Sequence, residues 1–374
     1  MPERWEQTLA RWTEAGVLDA ATADRVRAYE AGHASPAHLR WPIMLASAFG
    51  ALMLGAGVLL FVSSHWDALS PAARFGFVLA LVAIFHIAGV LTADRFPTVS
   101  ASLHAVGTVA LGGGVYLTGQ IFNVAEHWPG GVLLWAIGAW IGWLALRQDA
   151  QLFLAALLTP AWGVSEWLLA LHRRPGSVFE DDPVTPVAMV LLALAYFTMP
   201  RGPETRRGPL VWLGGIALVP AMVYLALISA SPLRWPPVSR PVLVVAWAIA
   251  IGAPLVFAAL ARREAAWMNA VSAAWVLMLL WLSTFHSALL MHAWWALGAL
   301  GLVGWGVREQ RTERIDVGAL LFGAVVLFFY FSNVMDKLGR AASLIGFGLL
   351  FLAGGWALER TRRELVRTAR GRIS

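Results

Sequence analysis

The stretch "AAWMNAVSAAWVLMLLWLSTFHSALLMHAWWALGALGLVGWGV", residues 265–307, runs without an obvious break. As one helix at about 1.5 Å per residue it would reach roughly 65 Å, about twice the hydrocarbon thickness of a bilayer. Two helices joined by a tight turn near Ser283 to Ser287 fit better. That reading makes the rest of the chain intelligible. Of its 374 residues, 59% are hydrophobic and 13% charged, against about 25% charged in a soluble domain. Membrane strands would alternate apolar and polar side chains. Here the apolar runs are continuous, so the fold class is all-α and polytopic.

Twelve spans are expected, at about 43–63, 72–92, 99–122, 130–147, 150–171, 184–199, 209–229, 241–261, 266–284, 287–307, 315–332 and 341–359. The run 184–199, between Pro183 and Pro200, is the shortest. Residues 1–40 read as a cytosolic helical hairpin and linker, 41–359 as the transmembrane domain and 360–374 as a basic cytosolic tail. In the hairpin, Trp5, Leu9 and Trp12 recur at helical spacing, Gly16 can end the first helix, and Asp19 can cap the second. The first 40 residues do not read as a signal peptide, so the first apolar run is expected to target the chain to the membrane.

Charge placement sets the orientation. With both termini inside, 21 of the 28 basic residues fall on the cytosolic side and seven on the other. This is the bias of a membrane protein, and no nucleic-acid partner is expected. The lipid bilayer is the expected surrounding. Trp41, Trp66, Trp128, Trp167, Trp235, Trp267 and Trp356 lie near span ends and read as interface anchors. The chain has no cysteine, which excludes disulfides and thiolate metal sites. No metal-ligand spacing is present, and neither a metal nor a cofactor is expected.

Intramembrane polar groups are the first place to look for chemistry, because burying them in lipid is costly. Glu166 is the carboxylate well inside a span, after Pro160. His86, His104 and His292 read as packing residues. The richest polar stretch is "LGGGVYLTGQIFNVAEHWPGG", residues 111–131. Gln120, Asn123 and Glu126 are three apart and share a helix face if the third span continues. Gly112 to Gly114 permit either a broken helix or close packing. In "FVSSHWDALSPAARF", residues 61–75, Ser70 can cap the second span with Pro71 at its first position, leaving His65 and Asp67 unassigned. The candidate polar pocket is Gln120, Asn123, Glu126, His65 and Glu166, all toward one expected outer leaflet.

The segments "WEQTLARWTEAGVLDAATADRVRAYE", "FGALMLGAGVLLFVSSHWDALSPAARF" and "GQIFNVAEHWPGGVLLW" together resemble a bacterial family of predicted membrane proteins, domain of unknown function 2157. The likeness covers about residues 4–145, and "VLFFYFSNVMDKLGRAASLIGFGLLFLAGGWALERTRREL" resembles the C-terminal ends of such proteins. In that family an Asn often precedes the Trp of the first loop, and an aromatic–His pair often follows the Gln–Ile pair. His65, and Phe122 with Asn123, stand at those positions here. The resemblance implies a multi-pass inner-membrane protein and brings no activity, cofactor or substrate. The working expectation is a non-enzymatic protein that transports or senses a small molecule or lipid. Two other classes stand beside it. One is a structural or regulatory protein that docks a cytosolic partner through the hairpin. The other is a membrane enzyme acting on lipid-linked substrates with Asp67, Glu126, His127, Asp181 and Asp182.

Overall fold

The computed structural model describes residues 9, 11–33, 70–121, 127–171, 182–200, 208–230, 236, 238–285 and 287–333, with single positions at 49, 50, 53, 57, 348, 352 and 356. Among the described residues there is no strand. The helices are α1 (Ala20–His33), α2 (Pro71–Thr92), α3 (Pro97–Ile121), α4 (Pro129–Leu146), α5 (Asp149–Ala170) and α6 (Val184–Phe197). There follow α7 (Gly208–Ala230), α8 (Arg240–Arg262), α9 (Trp267–Ser283), α10 (Ala288–Arg308) and α11 (Thr312–Asn333). Helices α2 to α11 coincide with the second to eleventh expected spans. The first and last spans lie largely outside the described residues.

By length and composition, seven stretches among the described residues can cross a membrane. One of them, Arg240–Ser283, is 44 residues long, about 66 Å if straight. It is divided: α8 ends at Arg262, Arg263 takes a left-handed φ of 50°, and a short 3₁₀ turn over Arg263–Ala266 leads into α9. The exposed surface of these helices is apolar, with Leu91, Leu260 and Trp212 among the large exposed side chains. Such a surface suits hydrocarbon and not water.

Local signals place the helix ends. Ser70 Oγ accepts from the Ala73 amide, with Pro71 at the first turn of α2. Pro129 opens α4. The long run of residues 265–307 does break at Ser283, and Ser287 caps α10 by accepting from the Leu290 amide. In the N-terminal segment Gly16 adopts φ 69°, and Asp19 Oδ2 accepts from the Thr22 amide at 3.2 Å. Both hairpin expectations are met there.

The chain divides into two compact units, Met1–Gly163 and Val164–Ser374. In the first, α2 and α3 form an antiparallel pair, and α4 and α5 pack through Ala136, Ala139, Ala155 and Leu158. The glycines of α3 are packing surfaces. Helix α3 runs unbroken through them: Gly112 lies under the Trp135 indole and Gly114 under Val78, while Gly113 faces open space. The broken-helix alternative does not occur.

In the second unit, α6 is the most enclosed element, in contact with α7, α8 and α9. Eleven of its 14 residues are buried. At about 21 Å it is too short to cross the bilayer alone. Protein rather than lipid surrounds it, which removes the need for full length. Reporter fusions after Asp182 and after Arg207 should therefore report opposite sides of the membrane. The same side for both would overturn the alternation of the spans.

Candidate functional site

Helix α3 carries a polar seam. Ser100, His104 and Thr108 recur every fourth residue and are 1%, 2% and 2% exposed. A four-residue interval returns a side chain to nearly the same helix face, so three polar groups line one buried strip of the helix. Two of the three are met by other helices. The Nδ1 atoms of His104 and of His86 on α2 lie 2.9 Å apart. Thr108 Oγ1 donates to Gln151 Oε1 on α5 at 2.9 Å and lies 3.1 Å from the His104 carbonyl. The Thr108 carbonyl accepts from Trp135 Nε1 on α4 at 2.8 Å. Four helices thus contribute to one polar line inside the first unit.

Some of its capacity is unspent. Among the described residues, Ser100 Oγ, Gln151 Nε2 and Gln148 Oε1 are buried without a protein partner. A buried polar atom of this kind costs about 1–3 kcal/mol unless water or a solute satisfies it. Gln151 is itself fully buried and reaches α3 across Gly142, where a Cβ would come within 2.8 Å of its Oε1. The seam is therefore built by close helix approach at small residues, with amide and hydroxyl groups left facing inward.

The residues expected to form the outer pocket are only partly described. His65, Asn123 and Glu126 lie outside the described residues, as do Asp67 and Asp181. Gln120 sits in the last turn of α3, 12 residues beyond Thr108. Glu166 is half-buried in α5. Its neighbour Trp167 is 9% exposed and donates to Asp182 Oδ2 at 2.7 Å, so it is a buried donor and not the wet interface anchor expected. Asp182 also accepts from the Val184 amide and the Thr185 hydroxyl. Its carboxylate is spent on capping the start of α6, where a helix N-terminus favours a negative charge. His292 accepts no such neighbour: its Nδ1 lies 2.6 Å from the Ala288 carbonyl and its ring stacks on Phe328.

A second polar cluster lies at one end of the second unit. Arg262, closing α8, donates to Glu309 Oε1 and to the Thr198 carbonyl. Arg314, in the first turn of α11, donates to Glu309 Oε2 at 2.5 Å and to the same Thr198 carbonyl at 3.1 Å. Trp305 Nε1 donates to Glu309 at 2.7 Å, and both guanidinium groups lie over the Trp305 ring. Asn269 completes the cluster with a bond to Thr198 Oγ1 at 3.1 Å. Two cations meet one carboxylate, and the C-terminal ends of α6 and α10 supply the remaining negative potential. Burial raises the Glu309 carboxyl, but the Arg314 hydrogen bond leads the effects that outweigh it, and the group is held below its usual range. The cluster fastens five helix ends together, those that close α6, α8 and α10 and those that open α9 and α11.

Sequence reasoning missed both constellations. It took His86 and His104 one at a time, and it counted Arg262 and Arg314 only as topology signals. One signal was available: "His-x-x-Gly" occurs at His86–Gly89 and again at His104–Gly107.

Residues 10–152 match the model of a family described as "Predicted membrane protein (DUF2157)", in agreement with the resemblance read from the sequence. The matched range contains α2, α3, α4 and the whole polar seam through Gln151. No curated protein and no solved structure matches the chain.

Proposed function

We propose that this multi-pass membrane protein senses or transports a small polar molecule or a lipid headgroup, and that the seam on α3 is where it does so. The observation that carries this reading is the set of buried polar atoms without protein partners, Ser100 Oγ and Gln151 Nε2, inside an apolar helical unit. Polar groups in a membrane span are expensive to leave unpaired, and a polar solute or water in the seam would satisfy them. Gln120 extends the same helix toward the expected outer side, and Glu166 is retained as a further candidate. The bacterial inner membrane, with both termini cytosolic, is the setting that the charge bias supports.

The test is genetic and then biochemical. In a strain whose growth depends on the protein, Ser100→Ala, Gln151→Leu, Gln120→Leu and Glu166→Gln should each be expressed at normal levels, and at least the first two should reduce growth or uptake severalfold. Wild-type behaviour from all four would contradict the reading.

A specific observation favours a second reading in which the N-terminal segment docks a cytosolic partner. Leu9 and Ala23 are buried, while Trp12, Val17 and Tyr29 are exposed at 45%, 71% and 64%. Apolar side chains held outward on a small helical segment suit a protein contact. Deleting residues 1–38 should abolish co-purification of such a partner, and unchanged co-purification would exclude this role.

A further inference from the structure

We infer that His86 and His104 form a proton-binding site within the α2–α3 pair, holding one proton on the line between their Nδ1 atoms and parting when both rings become charged. The inference deepens the proposed function, because it makes the proton one of the species that the seam binds.

The geometry fixes the protonation pattern. At 2.9 Å the two Nδ1 atoms are at hydrogen-bond distance. Two bare nitrogens would repel there, and two N–H groups would collide, so one ring donates and the other accepts. In the neutral pair the donor ring has a bare Nε2, and the acceptor ring carries its proton on Nε2. One further proton goes to the bare Nε2. It makes a single imidazolium whose Nδ1–H still points at its neighbour, in a stronger, charge-assisted bond. The next proton must take the accepting Nδ1 itself. That removes the bond and leaves two cations with ring centroids 5.2 Å apart.

The packing is reciprocal, which a lone space-filling histidine does not require. A Cβ on Gly89 of α2 would lie 2.7 Å from His104 Nε2, and one on Gly107 of α3 would lie 2.9 Å from His86 Nε2. Each helix supplies one imidazole and, three residues on, the glycine on which the opposite ring rests. The pair has no compensating anion on the helices that build it. Besides the pair itself, α2 carries only Arg74 and α3 only Tyr116 as ionisable groups, each 12 residues away, and α4 carries none. Asp94 and Arg95 lie in the α2–α3 turn, eight or nine residues from the pair. Helix α5 carries Asp149 and Glu166, but it reaches α3 through the neutral amide of Gln151. Among the described residues of α2, α3 and α4, no carboxylate stands ready to balance charge taken up by the pair. The site accepts one extra proton at the bare Nε2, with the shared Nδ1–H bond kept, and resists the second.

The experiment uses the full chain with ¹⁵N-labelled imidazole rings in lipid nanodiscs. Ring nitrogen resonances are followed across neutral and mildly acidic pH and assigned with His86→Asn and His104→Asn. The expected result is a scalar coupling between the two Nδ1 atoms, with both rings reporting the same one-proton uptake at one midpoint. The coupling then disappears as the second proton binds. Either single variant, which keeps an amide near the Nδ1 position, should abolish the shared uptake. Two independent titrations without coupling, or rings whose protonation never changes over this range, would overturn the inference. The outcome is separable from the proposed function. A shared proton with no phenotype at Ser100 or Gln151 would sink the solute reading alone. A phenotype there without a shared proton would sink this inference alone.

Discussion

Replacing Glu309 with Gln should destabilise the second unit by about 1.5–3 kcal/mol, the usual range for hydrogen bonds to a charged group, since the Glu309 side chain keeps 26% exposure. The side chains of Arg262 and Arg314 are each 2% exposed, and both direct a guanidinium at Glu309. Glutamine keeps the shape but loses the charge, and its amide presents hydrogens where the carboxylate presented lone pairs. Two buried cations would then be left with neutral acceptors, the Thr198 and Ala265 carbonyls and one amide oxygen, and with the Trp305 ring. Denaturation in detergent, followed by tryptophan fluorescence, would measure the loss. A change under about 1 kcal/mol, typical of an exposed pair, would show that the cluster is wet and not structural.

The same cluster gives a pH dependence with a definite sign. The Glu309 carboxyl is held below its usual value of 4.5. A carboxyl depressed on folding adds stability above its unfolded value and loses it as the pH falls through the folded one. Stability from this source should be intact near neutrality and should fall only in acid, below about pH 4.5. The Glu309→Gln protein should lack that part of the acid transition.

The second large effect is at Gly214. A Cβ there would overlap the Phe197 amide nitrogen and lie 2.5 Å from the Ala193 carbonyl oxygen. Both are backbone atoms of α6 or its end and cannot swing aside. Gly214→Ala must therefore push α7 away from α6. Overpacking typically costs about 1–3 kcal/mol, and the upper end is expected because the obstacle is main chain. The adjacent Gly215 is the internal control. Its added Cβ would sit 3.4 Å from the Phe197 ring, an ordinary contact, and alanine gains about 0.5–1 kcal/mol in helix preference. Gly215→Ala should be neutral or stabilising. Equal losses at the two positions would mean that α6 and α7 do not approach as described.

Much of the fold was legible because helix ends carry chemistry. Ser70 with Pro71, Pro129, Gly16, Asp19 and the Ser283–Ser287 turn could each be read from one residue type at one position. Tertiary encounters carry no such mark. His86 and His104 are 18 residues apart on two helices, and no periodicity says that their rings meet. Arg262 and Arg314 stand at helix ends beside stretches that the sequence reads as basic inner loops, where a count of charges treats every arginine as wet. The glycines at 112–114 allowed both a break and a close contact, and only the position of Trp135 decides between them. The polar pocket read from the sequence lay at the outer helix ends. The seam lies on the N-terminal half of α3, away from Gln120, and nothing in the spacing of Ser100, His104 and Thr108 says that they share one buried face.

If the seam takes a polar solute as proposed, it is a line that water can reach inside the first unit. The chain has no native cysteine, so single cysteines report cleanly. Ser100→Cys and Thr108→Cys should be compared with Val109→Cys and Leu134→Cys, whose native side chains are exposed on the apolar exterior. A small thiol reagent reacts with the thiolate, which needs water to form. Modification at 100 and 108 should be about tenfold faster than at 109 and 134, on that thiolate requirement. Seam cysteines that react no faster than those facing lipid would contradict that reading.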